Sequence, residues 1–266
     1  MADRRKNRYS QLIEVVFSKR YEKGLDRVAF ERSDIIEAAR QLALELPKNI
    51  SDVLYSFRYR TELPESIVAQ APEGKEWVIR PAGRARYEFA LVSAAAIAPS
   101  RMLAETKIPD ATPGVIEKYA MNDEQALLAK IRYNRLIDIF TGLACYSLQN
   151  HLRTTVPHVG QVEIDEIYVG IDKRGAHYVL PVEAKAASDK LGVIQIEQAF
   201  GVCDSKFPEL IARPIAAQVF GEDVIALFEF ERDRSEVAIV AEKHYRLVPP
   251  EALSSEELIT YRDRPH

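Results

Sequence analysis

Residues 162–198 read VEIDEIYVGIDKRGAHYVLPVEAKAASDKLGVIQIEQ, and the fold turns on how they pair. Val162 to Ile171 alternates its side chains with a period of two, and Asp172-Lys173-Arg174-Gly175 is turn chemistry. His177 to Ala184 is a second strand, apolar enough to belong inside a sheet. With the turn centred near Arg174, residues whose numbers sum to about 348 face each other across the hairpin. Asp165 then opposes Glu183, with Cβ atoms about 4.5–5.5 Å apart. Lys185, two residues further on, projects from the same face as Glu183. Asp189 to Val202 follows as a helix.

Two carboxylates and an ammonium on one face of a buried strand pair are costly to desolvate without compensation. A divalent cation compensates, and Mg²⁺ prefers one or two carboxylates, waters and a substrate phosphate. Asp165, then Glu183-Ala184-Lys185, then a helix, resembles the PD-(D/E)xK nuclease superfamily, which includes many restriction endonucleases. The resemblance covers roughly residues 123–245, with Ile164 where the motif often has proline. It implies an α/β fold: a restriction-endonuclease-like mixed sheet of about five strands flanked by helices. It implies Mg²⁺, with Mn²⁺ substituting, on Asp165, Glu183 and the Ala184 carbonyl. Lys185 would orient or deprotonate the attacking water, or offset charge on phosphorus. One glutamine of the following helix, Gln195 or Gln198, would order the lysine or the nucleic acid, and Gln198 is the one assigned as catalytic. Glu163 shares a face with Asp165 and is an accessory candidate, whereas Glu166 points to the other face. The bland alternative is an exposed E-A-K at a strand end, with Asp165 solvated or paired to Lys185.

The chain has 266 residues, 47% hydrophobic and 29% charged, the make-up of a soluble protein with room for two domains. No apolar run is long enough to span a bilayer, and the N-terminus has no signal-peptide core. Cys145 and Cys203 lack zinc spacing and read as buried thiols of a cytoplasmic protein. Residues 1–122 hold 20 Lys/Arg against 17 Asp/Glu, and residues 123–266 hold 16 against 23, so the N-terminal part suits phosphates better. Phosphate-loop, dinucleotide and nucleophile-elbow motifs are absent, which excludes a nucleotide cofactor and disfavours acyl transfer.

In the N-terminal part, helices are expected from Arg8 to about Gly24, from Ile35 to Leu46 behind a Ser33 cap, from Ile50 to Arg60, and briefly after Pro64. Glu76 to Arg80 and Arg84 to Val92 form a hairpin around Pro81-Ala82-Gly83. This order resembles a winged-helix domain over residues 1–98, mainly helical and smaller than the other. The resemblance implies double-stranded DNA as partner, met by Arg58, Arg60, Arg80, Arg84 and Arg86. The alternative is a small helical cap for protein contacts. Residues 99–122, with Pro99, Pro109 and Pro113, read as a linker or ordered connection. Residues 123–266 are the nuclease-like domain, opening on one long helix from Asp123 to His151. Asp138 or Glu124 on that helix could supply a further acid, and Arg132 and Arg153 could meet phosphate. Leu210 to Phe220, Val224 to Phe230 and Val237 to Tyr245 read as strands, and Ser254 to Tyr261 as a short helix.

The expected function is Mg²⁺-dependent hydrolysis of DNA phosphodiesters, in a restriction or defence role that rests on the resemblance. Cutting both strands of a duplex suggests a homodimer. The rivals are a ribonuclease or repair nuclease with the same site, a non-catalytic DNA-binding regulator on a nuclease-like scaffold, and a small-molecule enzyme with a carboxylate–lysine site.

Overall fold

Val28 and Phe30 alternate with exposed neighbours, so Arg27–Glu31 is a strand (β1) between helices α1 (Arg8–Arg20) and α2 (Arg32–Gln41). Five residues between two helical stripes carry too short a period to be read from sequence. Asp34 accepts the Glu31 N–H at 2.6 Å, so α2 starts before Ser33, and Ala43 at φ 51° follows its end well short of Pro47. Helix α3 (Ser51–Tyr59) begins where the Asn49 side chain accepts the Ser51 N–H at 3.2 Å, and α4 (Glu65–Val68) follows Pro64. Strands β2 (Glu76–Pro81) and β3 (Arg86–Val92) make the expected hairpin. With β1 they form an antiparallel sheet in the order β1-β3-β2, and a two-residue strand, β4 (Ala96–Ile97), follows. The helices bury Leu12, Ile35 and Leu54 against an aromatic centre of Phe17, Phe30, Trp77 and Phe89. Phe17 meets Trp77 and Phe89 edge-on at 5.2 and 5.0 Å.

This computed structural model describes residues 7–59, 61–93, 96–121, 123–157, 159–187, 189, 191–221, 223–233 and 236–264. The elements up to Ile97, with residues 154–162 and 192–198, form one compact unit, and the rest of the chain forms a second.

The second unit begins at Ala98 and takes in the segment expected to be a linker, which holds strand β5 (Glu105–Pro109) and helix α5 (Gly114–Tyr119). The single helix expected over 123–151 is instead α6 (Glu124–Tyr133), α7 (Leu136–Thr141) and a strand, β6 (Ala144–Val156). Left-handed residues make both breaks: Arg135 at φ 50° before α7 and Gly142 at φ 69° after it. Then come β7 (Gly160–Ile171), β8 (His177–Lys185), β9 (Leu191–Gly192), α8 (Val193–Lys206), β10 (Ile211–Ala212), β11 (Ile215–Phe220), β12 (Val224–Asp233) and β13 (Glu236–Val248). A 3₁₀ turn (Pro250–Ala252) and α9 (Ser255–Arg262), capped by Ser254, end the chain's described structure.

The sheet has eight strands rather than about five, in the order β5-β13-β12-β11-β8-β7-β6 with β10 beside β8. It is mixed: β8 runs parallel to β10 and β11, and β13 to β5, while β7–β8, β11–β12 and β12–β13 are antiparallel. β8 is interior, buried from Tyr178 to Ala184. Proline in a central strand is unusual because it cannot donate to the ladder. Pro181 sits in the gap between β10, which pairs Tyr178 and Val179, and β11, which takes over at Val182. Helices α6 and α7 bury Leu128, Ile131 and Leu136 against Leu180, Val182 and Leu227 of the sheet. Among the described residues no helix is long and apolar enough to cross a membrane.

Candidate active site

The β7–β8 turn is held by one side chain. Asp172 accepts the Arg174 and Ala176 N–H groups at 2.8 and 2.9 Å, and these bonds hold its carboxyl down at about 2. Gly175 supplies the positive φ, 83°, that the turn needs. The ladder pairs Ile171 with His177 and continues to Glu166 with Val182, the register in which partner numbers sum to about 348. Beyond it the Asp165 carboxylate accepts the Ala184 N–H at 2.8 Å.

Asp165, Glu183, Ala184 and Lys185 are thereby brought together. Glu183 is only 4% exposed. Burial pushes its carboxyl well above the usual range, and the Asp165 charge adds to this against the opposing Lys185. Burial also raises Asp165, although the Ala184 N–H and Lys185 favour its charged form. A fifth residue arrives from another element: Glu124, first in α6, accepts from the Lys185 ammonium at 2.8 Å. The same ammonium donates to the Ala184 carbonyl at 3.0 Å. Burial alone would lower the Lys185 pKa, but Glu124, Asp165 and Glu183 together leave it raised. Lys185 is therefore held as a cation.

The other candidates have contacts of their own. Glu163 is exposed and pairs with Arg153 at 3.1 Å and His151 at 3.9 Å. Asp138 accepts the Cys145 N–H at 3.0 Å and pairs with Arg135, which braces the α7–β6 turn. Glu166, on the opposite face as expected, is fully buried and accepts from Arg132 at 3.0 Å and from the Ser147 hydroxyl at 2.5 Å. Gln195 and Gln198 belong to the first unit: Gln195 accepts the Gly192 N–H at 3.3 Å, and Gln198 is buried on α8. Gln218 was not singled out by sequence, yet β11 pairs it with Lys185 and pairs Ala216 with Glu183. A polar residue inside the apolar run Ile215–Phe220 was the available signal. Among the described residues no group of three or more His, Cys, Asp or Glu is arranged to hold a metal ion.

Of the arginines expected to meet DNA, Arg84 and Arg86 are exposed beside the β2–β3 turn, and Arg58 is half-buried in the last turn of α3. Arg60 lies outside the described residues. Arg80 is committed to its own unit: both arms of its guanidinium donate to Glu197 of α8, the Nε bond at 2.8 Å, and its side chain is only 15% exposed. Burial raises the Glu197 carboxyl, and Arg80 opposes that. Arg80→Ala strands a covered carboxylate, so it destabilises the protein by on the order of 2 kcal/mol, and adding Glu197→Gln returns part of that. Urea denaturation of the single and double variants measures both values.

In comparisons with protein-family models, curated proteins and solved structures, nothing matches this chain.

Proposed function

We propose that the chain is a Mg²⁺-dependent endonuclease of the restriction-endonuclease-like kind, hydrolysing phosphodiester bonds of duplex DNA as a homodimer in a restriction or defence role. The observation that carries this reading is a buried carboxylate, Glu183, and a half-buried one, Asp165, beside a protonated lysine. Burial raises both carboxyls, the Asp165 charge raises Glu183 further and the Glu124 charge raises Asp165, and a cation beside them offsets these penalties. The donor set fits a hard ion: Asp165 and Glu183 would hold Mg²⁺, or Mn²⁺, with the Ala184 carbonyl as a further oxygen. When bound, the ion polarises the scissile phosphate and lowers the pKa of its water. Lys185 stays charged, so its role is to donate: it orients the attacking water and offsets the charge that grows on the phosphoryl oxygens. Glu124 aims the ammonium and fixes its charge.

The first unit, with its order of helix, strand, helices and hairpin, is read as the winged-helix-like part that engages the duplex. Arg84 and Arg86 are its phosphate contacts. Arg84→Ala and Arg86→Ala each weaken duplex binding uniformly across sequences and reduce the slope of log K against log salt by about one. Arg80→Ala leaves that slope unchanged. Fluorescence anisotropy over a salt series separates the three variants.

A second reading is favoured by the lack, among the described residues, of a group of three metal-ligating side chains: a non-catalytic DNA-binding regulator. The test is incubation of supercoiled plasmid, single-stranded DNA and RNA with Mg²⁺, Mn²⁺ or EDTA. Nicking that needs the ion supports the nuclease, cutting of RNA alone makes it a ribonuclease, and duplex binding with no cutting favours the regulator.

A further inference from the structure

Gln218 and Lys185 are partners across the parallel β8–β11 ladder, so their side chains leave the sheet on the same face, from strands about 4.8 Å apart. Gln218 is 7% exposed. Its Nε2 donates at 2.8 Å to the backbone carbonyl of Asp189, in the loop that follows Glu183-Ala184-Lys185. A carbonyl can only accept, so this bond fixes which end of the amide is nitrogen. The other end, Oε1, is buried and has no hydrogen-bond partner among the described residues. A buried acceptor left unmade is costly and uncommon. On the neighbouring strand, the Lys185 ammonium has three donors, and Glu124 and the Ala184 carbonyl take two. The Glu124 side chain is 36% exposed, so its hold on the ammonium is the one open to competition from water and incoming charge.

We propose that Gln218 is a positioning residue for Lys185, its Oε1 receiving the ammonium whenever Glu124 lets go and so keeping it beside Glu183. The amide is suited to this task because it is neutral: it orients the cation without adding a third negative charge to the Asp165–Glu183 pair. Its Nε2 bond to Asp189 keeps the acceptor aimed while the lysine moves. As part of a nuclease site this inference rests on the function proposed above, but its test needs neither metal nor DNA.

The test is acetylation of Lys185 by acetic anhydride in the metal-free 266-residue chain, read by mass spectrometry as a rate at that residue. With Glu124 intact, Gln218→Met changes the rate little. In a Glu124→Gln background, where Lys185 leans on Gln218, adding Gln218→Met raises the rate about fivefold, the factor expected for one hydrogen bond. Adding Gln218→Glu instead, which keeps the acceptor and loses the donor to Asp189, leaves the lysine protected. Equal rates with and without Gln218→Met in that background overturn the proposal. So does a Gln218→Glu variant as reactive as Gln218→Met, because Gln218 would then act only as an anchor for the loop. Circular dichroism of each variant ensures that the rates compare folded chains, and plasmid cleavage by the wild type, run separately, decides the nuclease reading.

Discussion

Lys185→Ala is expected to lower Mg²⁺-dependent nicking roughly 10²–10³-fold, the loss that follows removal of one donor aimed at developing charge. The ammonium is already in place and charged, with Glu124 on one side and the Ala184 carbonyl on the other, so no reorganisation is needed to use it. Its loss is expected to fall on turnover rather than on DNA affinity, because the phosphate contacts proposed for the first unit are untouched. The variant also leaves Asp165 and Glu183 without their nearby cation, so both carboxyls rise further and the metal-free protein melts lower at neutral pH. Added Mg²⁺ returns part of that stability while cleavage stays at its lowered rate, and this contrast separates a chemical loss from a folding loss. Gel-based nicking rates alongside thermal melts with and without Mg²⁺ measure both. Cleavage by Lys185→Ala within a few-fold of wild type sinks the assignment of Lys185.

The hairpin that carries this site was legible in the sequence because everything it needs is local. Asp172 and Gly175 make the turn, the alternation from Val162 sets one face, and the register follows by counting. The elements that escaped were of two kinds. β1 is too short for its period to stand out between two helices, and β6 hides behind a helical stripe that runs on through Leu136, Ile137 and Phe140 until Gly142 ends it. β5 is a strand only because β13 lies beside it, a parallel pairing between segments far apart in sequence. The site divides in the same way. Asp165, Glu183 and Lys185 follow from one hairpin, whereas Glu124 stood only as one of two acids on a helix of the wrong length. Gln218 depends on a parallel pairing that no local pattern announces, and nothing near Arg80 in sequence reveals its partner Glu197.

The second large effect is on stability, and it has the opposite sign to the usual cost of changing a buried residue. Glu183 and Asp165 both have folded-state carboxyls above their ordinary values of 4.5 and 3.8. Below those ordinary values the groups are protonated in folded and unfolded chains alike, and their contribution to stability is fully present. As pH rises, the unfolded chain gives up its protons first, so stability falls until the folded carboxyls have titrated as well, and the loss then persists. Lys185, raised from 10.5, also loses its contribution as pH rises, but only near or above that value, so it is constant between pH 5 and 9. The metal-free wild type is therefore expected to lose melting temperature as pH rises above about 4. Glu183→Gln removes the larger part of that slope and melts higher than wild type at pH 8 by roughly 5 °C, at about 2–4 °C per kcal/mol for a chain of this size. The same substitution takes away a proposed ligand. Millimolar Mg²⁺ should raise the wild-type melting temperature by linkage and leave the variant nearly unmoved. Scanning fluorimetry from pH 4 to 9, with Mg²⁺ and with EDTA, reads both effects from one set of samples. A variant that melts below wild type at pH 8 would mean that Lys185 gains more from Glu183 than burial costs it, and the case for a cation between the two carboxylates would lose its physical basis.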